Sequence, residues 1–216
     1  MKLVKTTLIS AMLATATVGP ANAAFVYEFG GSSAADGSGL TTSRSGAAVI
    51  DFNGGKPAGY SGQGSVLSGS LSGKYATPAG DATPYLSVAY PAQSGIETFA
   101  AAPGASYNYF GLYWGSIDDY NSLSFYSGAT LIASVSGLDV IQAGTALGDQ
   151  TAAGSNRYVN FTFVDASFDR IVFNTTQFAF ESDNHAFGNV AVPEPATLAL
   201  FGIGLLGAGV ARRRKI

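Results

Sequence analysis

One stretch near the middle of the chain decides the fold: Tyr107-Asn-Tyr-Phe-Gly-Leu-Tyr-Trp-Gly115. In an extended strand its tyrosines share one face, and Phe110 and Trp114 share the other. Because aromatic side chains occupy both faces, the pattern predicts a central strand that is covered on both sides. The same stretch therefore predicts a layered β protein.

The sequence on either side of this strand favours further short strands. Residues 122–126 and 130–135 flank Ser127-Gly128, a tight-turn signal, so they predict a β-hairpin. Arg157 to Val164 alternates between two faces. Shorter strands are expected at 25–29, 47–52, 65–71, 85–90, 96–99, 171–173, 178–180 and 185–192, and loops at 30–45 and 143–155. With no long amphipathic helix in the mature region, the prediction is all-β: an antiparallel, jelly-roll-like β-sandwich.

The N-terminus has the three parts of a secretory signal peptide. Lys2 and Lys5 are basic, an apolar stretch follows, and Ala21-Asn22-Ala23 is a small-x-small cleavage site. We expect residues 1–23 to be removed, with Ala24 the first mature residue and residues 24–191 the β-sandwich domain. The expected partners are the Sec translocon and signal peptidase.

The C-terminus, residues 192–216, has three parts of its own. Pro193, Glu194 and Pro195 come first, an uncharged segment at 196–211 follows, and the chain closes on Arg212, Arg213, Arg214 and Lys215. The uncharged segment predicts a single hydrophobic helix of about 24 Å, slightly short of a hydrocarbon core about 30 Å thick. The basic cluster would stay on the cytoplasmic side. We therefore expect the chain to contact the membrane through this helix before processing.

This tail resembles the PEP-CTERM sorting signal of bacterial exosortase substrates. The resemblance implies that an exosortase recognises Pro193-Glu194-Pro195, cuts nearby and discards the tail. Residues 109–140 and 178–192 also resemble a family of exosortase-dependent surface proteins, which implies a sandwich fold, an extracellular location and no catalytic residues to carry over. The implied route starts at the inner membrane of a Gram-negative-type bacterium, passes through an anchored intermediate and ends at the surface or in the extracellular matrix.

Charge and cysteine content narrow the function further. The full chain has 11 basic and 14 acidic residues, but six basic residues lie in the two removable segments, which leaves a net charge of about −9. Nucleic acid is therefore excluded as a partner, whereas divalent cations and neutral glycans are compatible. The chain has no cysteine, so its stability must come from packing alone.

The residues that could perform catalysis are few. His185 is the single histidine, and no nucleophile motif accompanies it. Glycoside hydrolysis needs only two carboxylates, and the candidate pairs are Asp118 with Asp119, Asp165 with Asp169, and Glu181 with Asp183. Turn capping explains most of these residues. We predict no enzyme activity and no catalytic residues, with a glycosidase kept as an alternative.

The same carboxylate oxygens could instead bind calcium, because hard cations take carboxylate and carbonyl ligands. If the first and last strands pair, Glu28, Asp36 and Asp183 form one candidate set of ligands for a structural Ca²⁺. Asp118, Asp119 and Asn121 form another. A solvated turn is the alternative interpretation of each set.

Exposed aromatic residues could bind sugar by stacking. The candidates are Tyr107, Tyr109, Tyr113, Trp114 and Tyr120, with a core role as the alternative. The sequence as a whole predicts a non-enzymatic secreted surface or matrix protein, sorted by an exosortase and associated with exopolysaccharide or biofilm. The competing function is a carbohydrate-binding module stabilised by calcium.

Overall fold

The computed structural model describes residues 25–192 and shows fourteen strands and one four-residue helix there. The strands are β1 (Phe25–Phe29), β2 (Ser32–Ser33), β3 (Leu40–Thr41), β4 (Ala48–Ile50), β5 (Tyr60–Gly62), β6 (Gly64–Leu67), β7 (Tyr85–Val88), β8 (Gly95–Ala100), β9 (Tyr109–Gly115), β10 (Asn121–Ser127), β11 (Thr130–Ser136), β12 (Arg157–Phe163), β13 (Arg170–Thr175) and β14 (Phe180–Gly188). The helix α1 is Gly137–Val140, which follows β11 directly. The prediction of an all-β fold is confirmed.

Two antiparallel sheets carry most of these strands. The seven-stranded sheet has the order β1-β12-β9-β14-β7-β6, with β4 added to β14, and the five-stranded sheet has the order β11-β10-β13-β8-β5. From β7 to β14 the chain changes sheet at each connection except the β10–β11 hairpin, which is the predicted hairpin. Strands β2 and β3 form a small separate hairpin. The predicted central strand, β9, lies between β12 and β14 in the larger sheet.

Aromatic side chains fill the space between the two sheets. Phe110 of β9 lies 6.0 Å from the ring of Phe125 on β10 and 6.0 Å from that of Phe173 on β13, measured between ring centroids. It also contacts Phe161 and Phe168. Such contacts bury large apolar areas and add directional ring–ring interactions. They hold the two sheets together in a chain that has no cysteine.

The outer face of the larger sheet is covered by loops rather than by solvent. The hydroxyl of Tyr113 donates a hydrogen bond to the carbonyl of Ala79, and Tyr109 lies 2.6 Å from the Thr42 hydroxyl. Gly39 has φ +76°, and a β-carbon there would lie 2.4 Å from the Tyr113 ring. Glycine is therefore needed where the β2–β3 turn presses on the sheet. Residues 30–45 form part of this cover; the sequence predicted a loop there, whereas the structure has the short β2–β3 hairpin within it.

The strands predicted at 47–52, 65–71 and 85–90 are shorter in the structure, β5 was not predicted, and the last two predictions need a larger correction. Residues 178–180 and 185–192 were expected to be two strands, whereas Phe180–Gly188 is one continuous strand, β14. The pairing of β14 with β9 shifts register between Asp183 and Ala186, and Asn184 has φ +49° there. A β-bulge interrupts the alternation of side chains, which is the reason that the sequence pattern looked broken.

The bulge turns His185 into the core. Its ring stacks on Phe173 with centroids 5.0 Å apart, its Nδ1 lies 2.7 Å from the Tyr60 hydroxyl, and its Nε2 lies 2.9 Å from the Ser182 hydroxyl. Burial lowers the pKa of His185 to about 3, so the imidazole is neutral at physiological pH. This histidine is a hydrogen-bonded core residue.

Several sequence predictions lie outside the described residues. They are the signal peptide at 1–23 with its cleavage residues Ala21, Ala23 and Ala24, the C-terminal helix, and the sorting residues Pro193, Glu194, Pro195, Arg212, Arg213 and Arg214. Between residues 25 and 192, no helix has the length and apolar character needed to span a membrane.

The aromatic core gives a stability prediction. Phe110→Ala should lower the free energy of unfolding by about 3–5 kcal/mol, because it leaves a cavity between the two sheets. Leu138→Ala is the control, since that side chain is 60% exposed, and we expect it to change stability by less than about 0.5 kcal/mol. Urea denaturation followed by tryptophan fluorescence measures both, and equal effects would contradict the assigned core.

Candidate functional site

A polar cleft of about 240 Å³ opens where β14 begins. Four chain segments form it: the loop before Pro78, the turn after β9, the loop before β12, and the residues that enter β14. Its lining residues are Gly73, Lys74, Tyr75, Ala76, Ser116, Asp118, Tyr120, Gly148, Gln150, Phe178, Ala179 and Glu181.

Glu181 lies at the base of the cleft and is only 3% exposed. Its Oε1 accepts a hydrogen bond from the Ala76 amide (2.9 Å), and its Oε2 accepts one from the Ser116 hydroxyl (3.2 Å). Burial raises the pKa of Glu181 to about 7, and the nearby negative charge of Asp118 adds to the shift. Near neutral pH this carboxyl is therefore both a proton donor and an acceptor.

The backbone at Ser116 is held in an uncommon conformation. Ser116 has φ +36°, in the left-handed region that side chains other than glycine rarely adopt. Its amide donates to the Asn156 side-chain oxygen (3.0 Å) while its hydroxyl reaches Glu181. Strained residues of this kind concentrate at binding and catalytic sites. The conformation is the local feature that places a hydroxyl against Glu181.

Asp118 and Tyr120 form the opposite wall. The Tyr120 hydroxyl lies 2.5 Å from Asp118 Oδ2 and 2.7 Å from the carbonyl oxygen of Phe178, so both acceptors compete for its proton. Burial raises the pKa of Asp118 and that of Tyr120. Lys74 Nζ lies 4.1 Å from the centroid of the Phe178 ring, which adds a cation and an aromatic face to the rim.

The cleft therefore combines two carboxyl groups of raised pKa with a hydroxyl, an ammonium group and an aromatic ring. Carboxyl and amide groups bind sugar hydroxyls by hydrogen bonds, and aromatic rings contact the apolar face of a sugar. Two carboxyls in one cleft are also the minimum requirement for glycoside hydrolysis. The geometry favours a small polar ligand rich in hydroxyl groups.

The predicted glycan-stacking residues do not form one surface. Tyr109, Tyr113 and Trp114 are buried because β9 is central in its sheet and covered on both faces. Tyr120 is half-buried in the polar cleft, and Tyr107 is half-buried in a separate apolar groove beside Phe99 and Phe187. The stacking platform expected from the sequence is therefore corrected to two separated tyrosines.

The second predicted calcium set is also dispersed. Asp118 lines the cleft, Asp119 is exposed, and Asn121 is buried with its Nδ2 donating to the carbonyl of Ala179 (3.0 Å). Consecutive residues of the β9–β10 turn point in different directions. Within residues 25–192, no three or more His, Cys, Asp and Glu side chains are grouped so as to hold a metal ion.

The first predicted calcium set rested on pairing between the first and last strands, and that pairing is wrong. Strand β1 pairs with β12, whereas β14 pairs with β4, β7 and β9. Glu28 is exposed and forms an ion pair with Arg44, away from the other two. Asp36 and Asp183 do lie in neighbouring segments, since Ser38 Oγ contacts both Asp36 Oδ1 (2.6 Å) and Asn184 Oδ1 (3.2 Å).

The sequence pattern missed several residues of the cleft. Glu181 was considered only as a partner of Asp183, but it faces Asp118 and Ser116 instead. The available signal was the Glu-x-Asp spacing of residues 181 and 183, which places both side chains on one face of a strand. Nothing local marks Lys74 or Gln150, because only the fold brings their loops to the cleft.

Comparison with known families gives one match. The description of the matching family is PEP-CTERM protein-sorting motif, and the match covers residues 191–215. It confirms that the chain carries a PEP-CTERM sorting signal, which implies exosortase-dependent export and membrane-anchored sorting to the cell surface in Gram-negative bacteria. A comparison with curated proteins gives no significant match.

A comparison with solved structures finds the K2 cleaved adhesin domain of Lys-gingipain (Kgp). The two chains are 14% identical, the TM-score is 0.31, and the match covers 67% of this chain and 98% of the other.

The raised pKa of Glu181 gives a pH prediction. Its folded-state pKa of about 7 exceeds that of an exposed glutamate. The buried carboxylate therefore lowers the free energy of unfolding above pH 7, and this destabilisation disappears as the pH falls and the group is protonated. Between pH 8 and pH 5 the wild type should therefore gain about 1–3 kcal/mol of unfolding free energy relative to Glu181→Gln. Urea denaturation at a series of pH values measures the difference.

Glu28→Gln is the control for this experiment, because it also removes one carboxylate but at an exposed position. Parallel pH profiles for the wild type and Glu181→Gln would show that Glu181 does not titrate near neutral pH.

Proposed function

We propose that this chain, which carries a PEP-CTERM sorting motif, is a non-enzymatic surface protein displayed in the extracellular polysaccharide layer or biofilm matrix. It is exported by the Sec translocon, cleaved by signal peptidase, and held in the inner membrane by its C-terminal helix until an exosortase processes it. The observation that carries this proposal is the motif match at residues 191–215. In this proposal no residue of the chain has a catalytic role.

We propose further that the sandwich is a jelly roll. The strand orders β12-β9-β14-β7 and β11-β10-β13-β8, with chain crossings between the sheets, support two interlocked Greek keys. This architecture suits an exported chain without disulfides, because both sheets bury apolar faces against each other. In this proposal the domain is the stable module that is displayed outside the cell.

The second candidate function is a carbohydrate-binding module, and the polar cleft is the observation that favours it. Glu181, Asp118 and Tyr120 offer hydrogen-bonding groups within one concavity, and Phe178 offers an aromatic ring at its rim. The low charge of the chain also fits a neutral glycan better than a charged polymer. Binding of matrix polysaccharide in this cleft would retain the protein in the layer to which it is sorted.

The sorting proposal is tested by the intact mass of the mature protein from producing cells. We expect a mass that lacks residues 1–23 and the segment after Pro195, with glycan or lipid mass added if the new C-terminus is attached to another molecule. A mass that retains residues 196–216 would indicate a simple membrane anchor and would exclude exosortase processing.

The glycan proposal is tested with exopolysaccharide purified from the same cells. In isothermal titration calorimetry, Tyr120→Phe should weaken binding by about 5–10-fold, because it removes the hydroxyl that lies between Asp118 and Phe178. Tyr27→Phe, which removes a tyrosine hydroxyl from the exposed edge strand β1, should bind as the wild type does. Equal affinities for the two variants would remove the cleft from the proposal, and release of reducing ends would indicate a glycosidase instead.

A further inference from the structure

A second pair of buried carboxyl groups lies outside the cleft, and one of them, Asp183, is on the same face of β14 as Glu181. Asp183 of β14 is 0% exposed, and Asp81, which belongs to the loop before β7, is 8% exposed. Their carboxyl groups lie within hydrogen-bonding reach of each other, and each affects the pKa of the other. The loop at 36–38 closes over them, with Ser38 forming a β-bridge to Asp81.

The protein provides too few donors for these carboxylates. Asp81 Oδ1 accepts both the amide and the hydroxyl of Thr83, each at 2.8 Å, whereas Asp81 Oδ2 is buried and has no hydrogen-bond donor when Asp81 and Asp183 are both ionised. Asp183 Oδ1 accepts the amide of Asn184 (2.7 Å). Asp183 Oδ2 has only the Thr83 hydroxyl, at 3.5 Å, and that single proton already serves Asp81. A buried acceptor left in this way is costly unless something else binds it.

The surrounding charges are also negative. Burial is the main cause that raises the pKa of Asp81 and that of Asp183, and the negative charges of Asp36 and Asp51 add smaller upward shifts at Asp81 and Asp183 respectively. The ion pairs formed within residues 25–192 are Arg44 with Glu28 and Lys56 with Glu97, so neither serves this cluster. Burial, together with Asp81, raises the pKa of Asp183 to about 9.

We propose that a calcium ion binds between Asp81 and Asp183 and fastens the loops at 36–38 and 81–83 to strand β14. Calcium accepts six to eight oxygen ligands in irregular geometry, and carboxylates, hydroxyls, backbone carbonyls and water all qualify. Two carboxylates and the Thr83 hydroxyl therefore begin a coordination shell that needs no third acidic side chain. The ligand set differs from both sets expected from the sequence, since Asp81 and Thr83 replace Glu28 and Asp36.

An extracellular location makes this ion available, because calcium sites of extracellular modules bind at about 10⁻⁴–10⁻³ M. Magnesium fits less well, since it requires near-ideal octahedral geometry. The site itself depends only on the folded domain. Its test can therefore fail while sorting succeeds, and the reverse is equally possible.

The test uses the mature protein purified from producing cells, treated with EDTA and dialysed. Addition of 5 mM CaCl₂ should raise the melting temperature by about 5 °C, and 5 mM MgCl₂ should raise it much less. Asp183→Asn and Asp81→Asn should each abolish the calcium-dependent shift. Terbium should give sensitised luminescence through Tyr113, whose ring lies close to this loop, and calcium should displace it.

The matched control is Asp149→Asn. Asp149 holds an Asp-x-Thr turn with the same hydrogen bonds to Thr151 that Asp81 makes to Thr83, but without a buried carboxyl partner. This variant should keep the full calcium shift. If calcium leaves the wild-type melting temperature unchanged and no terbium luminescence appears, Asp81 and Asp183 share a proton and the proposal is wrong. Because terbium binding is measured on the wild type, this outcome can be recognised even if a variant fails to fold.

Discussion

Strand β14 carries five consecutive polar residues, Glu181-Ser-Asp-Asn-His185, through the centre of a buried sheet. The surrounding structure supplies hydrogen-bond partners to all of them except at one carboxylate oxygen of Asp183, which is served only by the Thr83 hydroxyl at 3.5 Å. Buried polar groups are tolerated only when they are bonded. His185 uses Tyr60 and Ser182, and the Asn184 amide group donates to the carbonyls of Ser38 and Leu40. The strand thereby sets the positions of the β2–β3 hairpin, the loop before β7 and the turn after β9.

The bulge at Asp183–Ala186 makes this arrangement possible. Without the extra residue, His185 could not enter the apolar core while Asn184 reaches the covering loops. The apolar core and the loops that cover the outer face of the larger sheet are therefore coupled through His185 and Asn184, adjacent residues of one strand. Glu181 differs from the rest of the run because its covering loops leave an opening, and that opening is the cleft.

The sequence predicted the fold where alternation is regular. Residues 157–163 and the hairpin at 121–136 have patterns that survive in the structure, since no bulge or covering loop breaks the alternation that the sequence shows at 157–163, and β10 has one buried and one more exposed face. Prediction from the sequence failed at β14, where the bulge changes the phase of the pattern. It also failed at Tyr109, Tyr113 and Trp114, whose burial depends on distant loops. Gly39 shows the difficulty, because its contact with Tyr113 joins residues that no local pattern connects. The same reason explains why the sequence contains the carboxylates of both sites but does not reveal how they are grouped.

The direction of β14 has a consequence for how the domain is presented. The strand begins at the cleft and ends near Val190, whose neighbours Val192 and Val26 line one groove together, so both ends of the domain emerge at the same edge. The seven residue steps from Glu181 to Gly188 span roughly 20–25 Å. A chain held through its sorting motif would therefore be attached at one pole and would carry the cleft at the other.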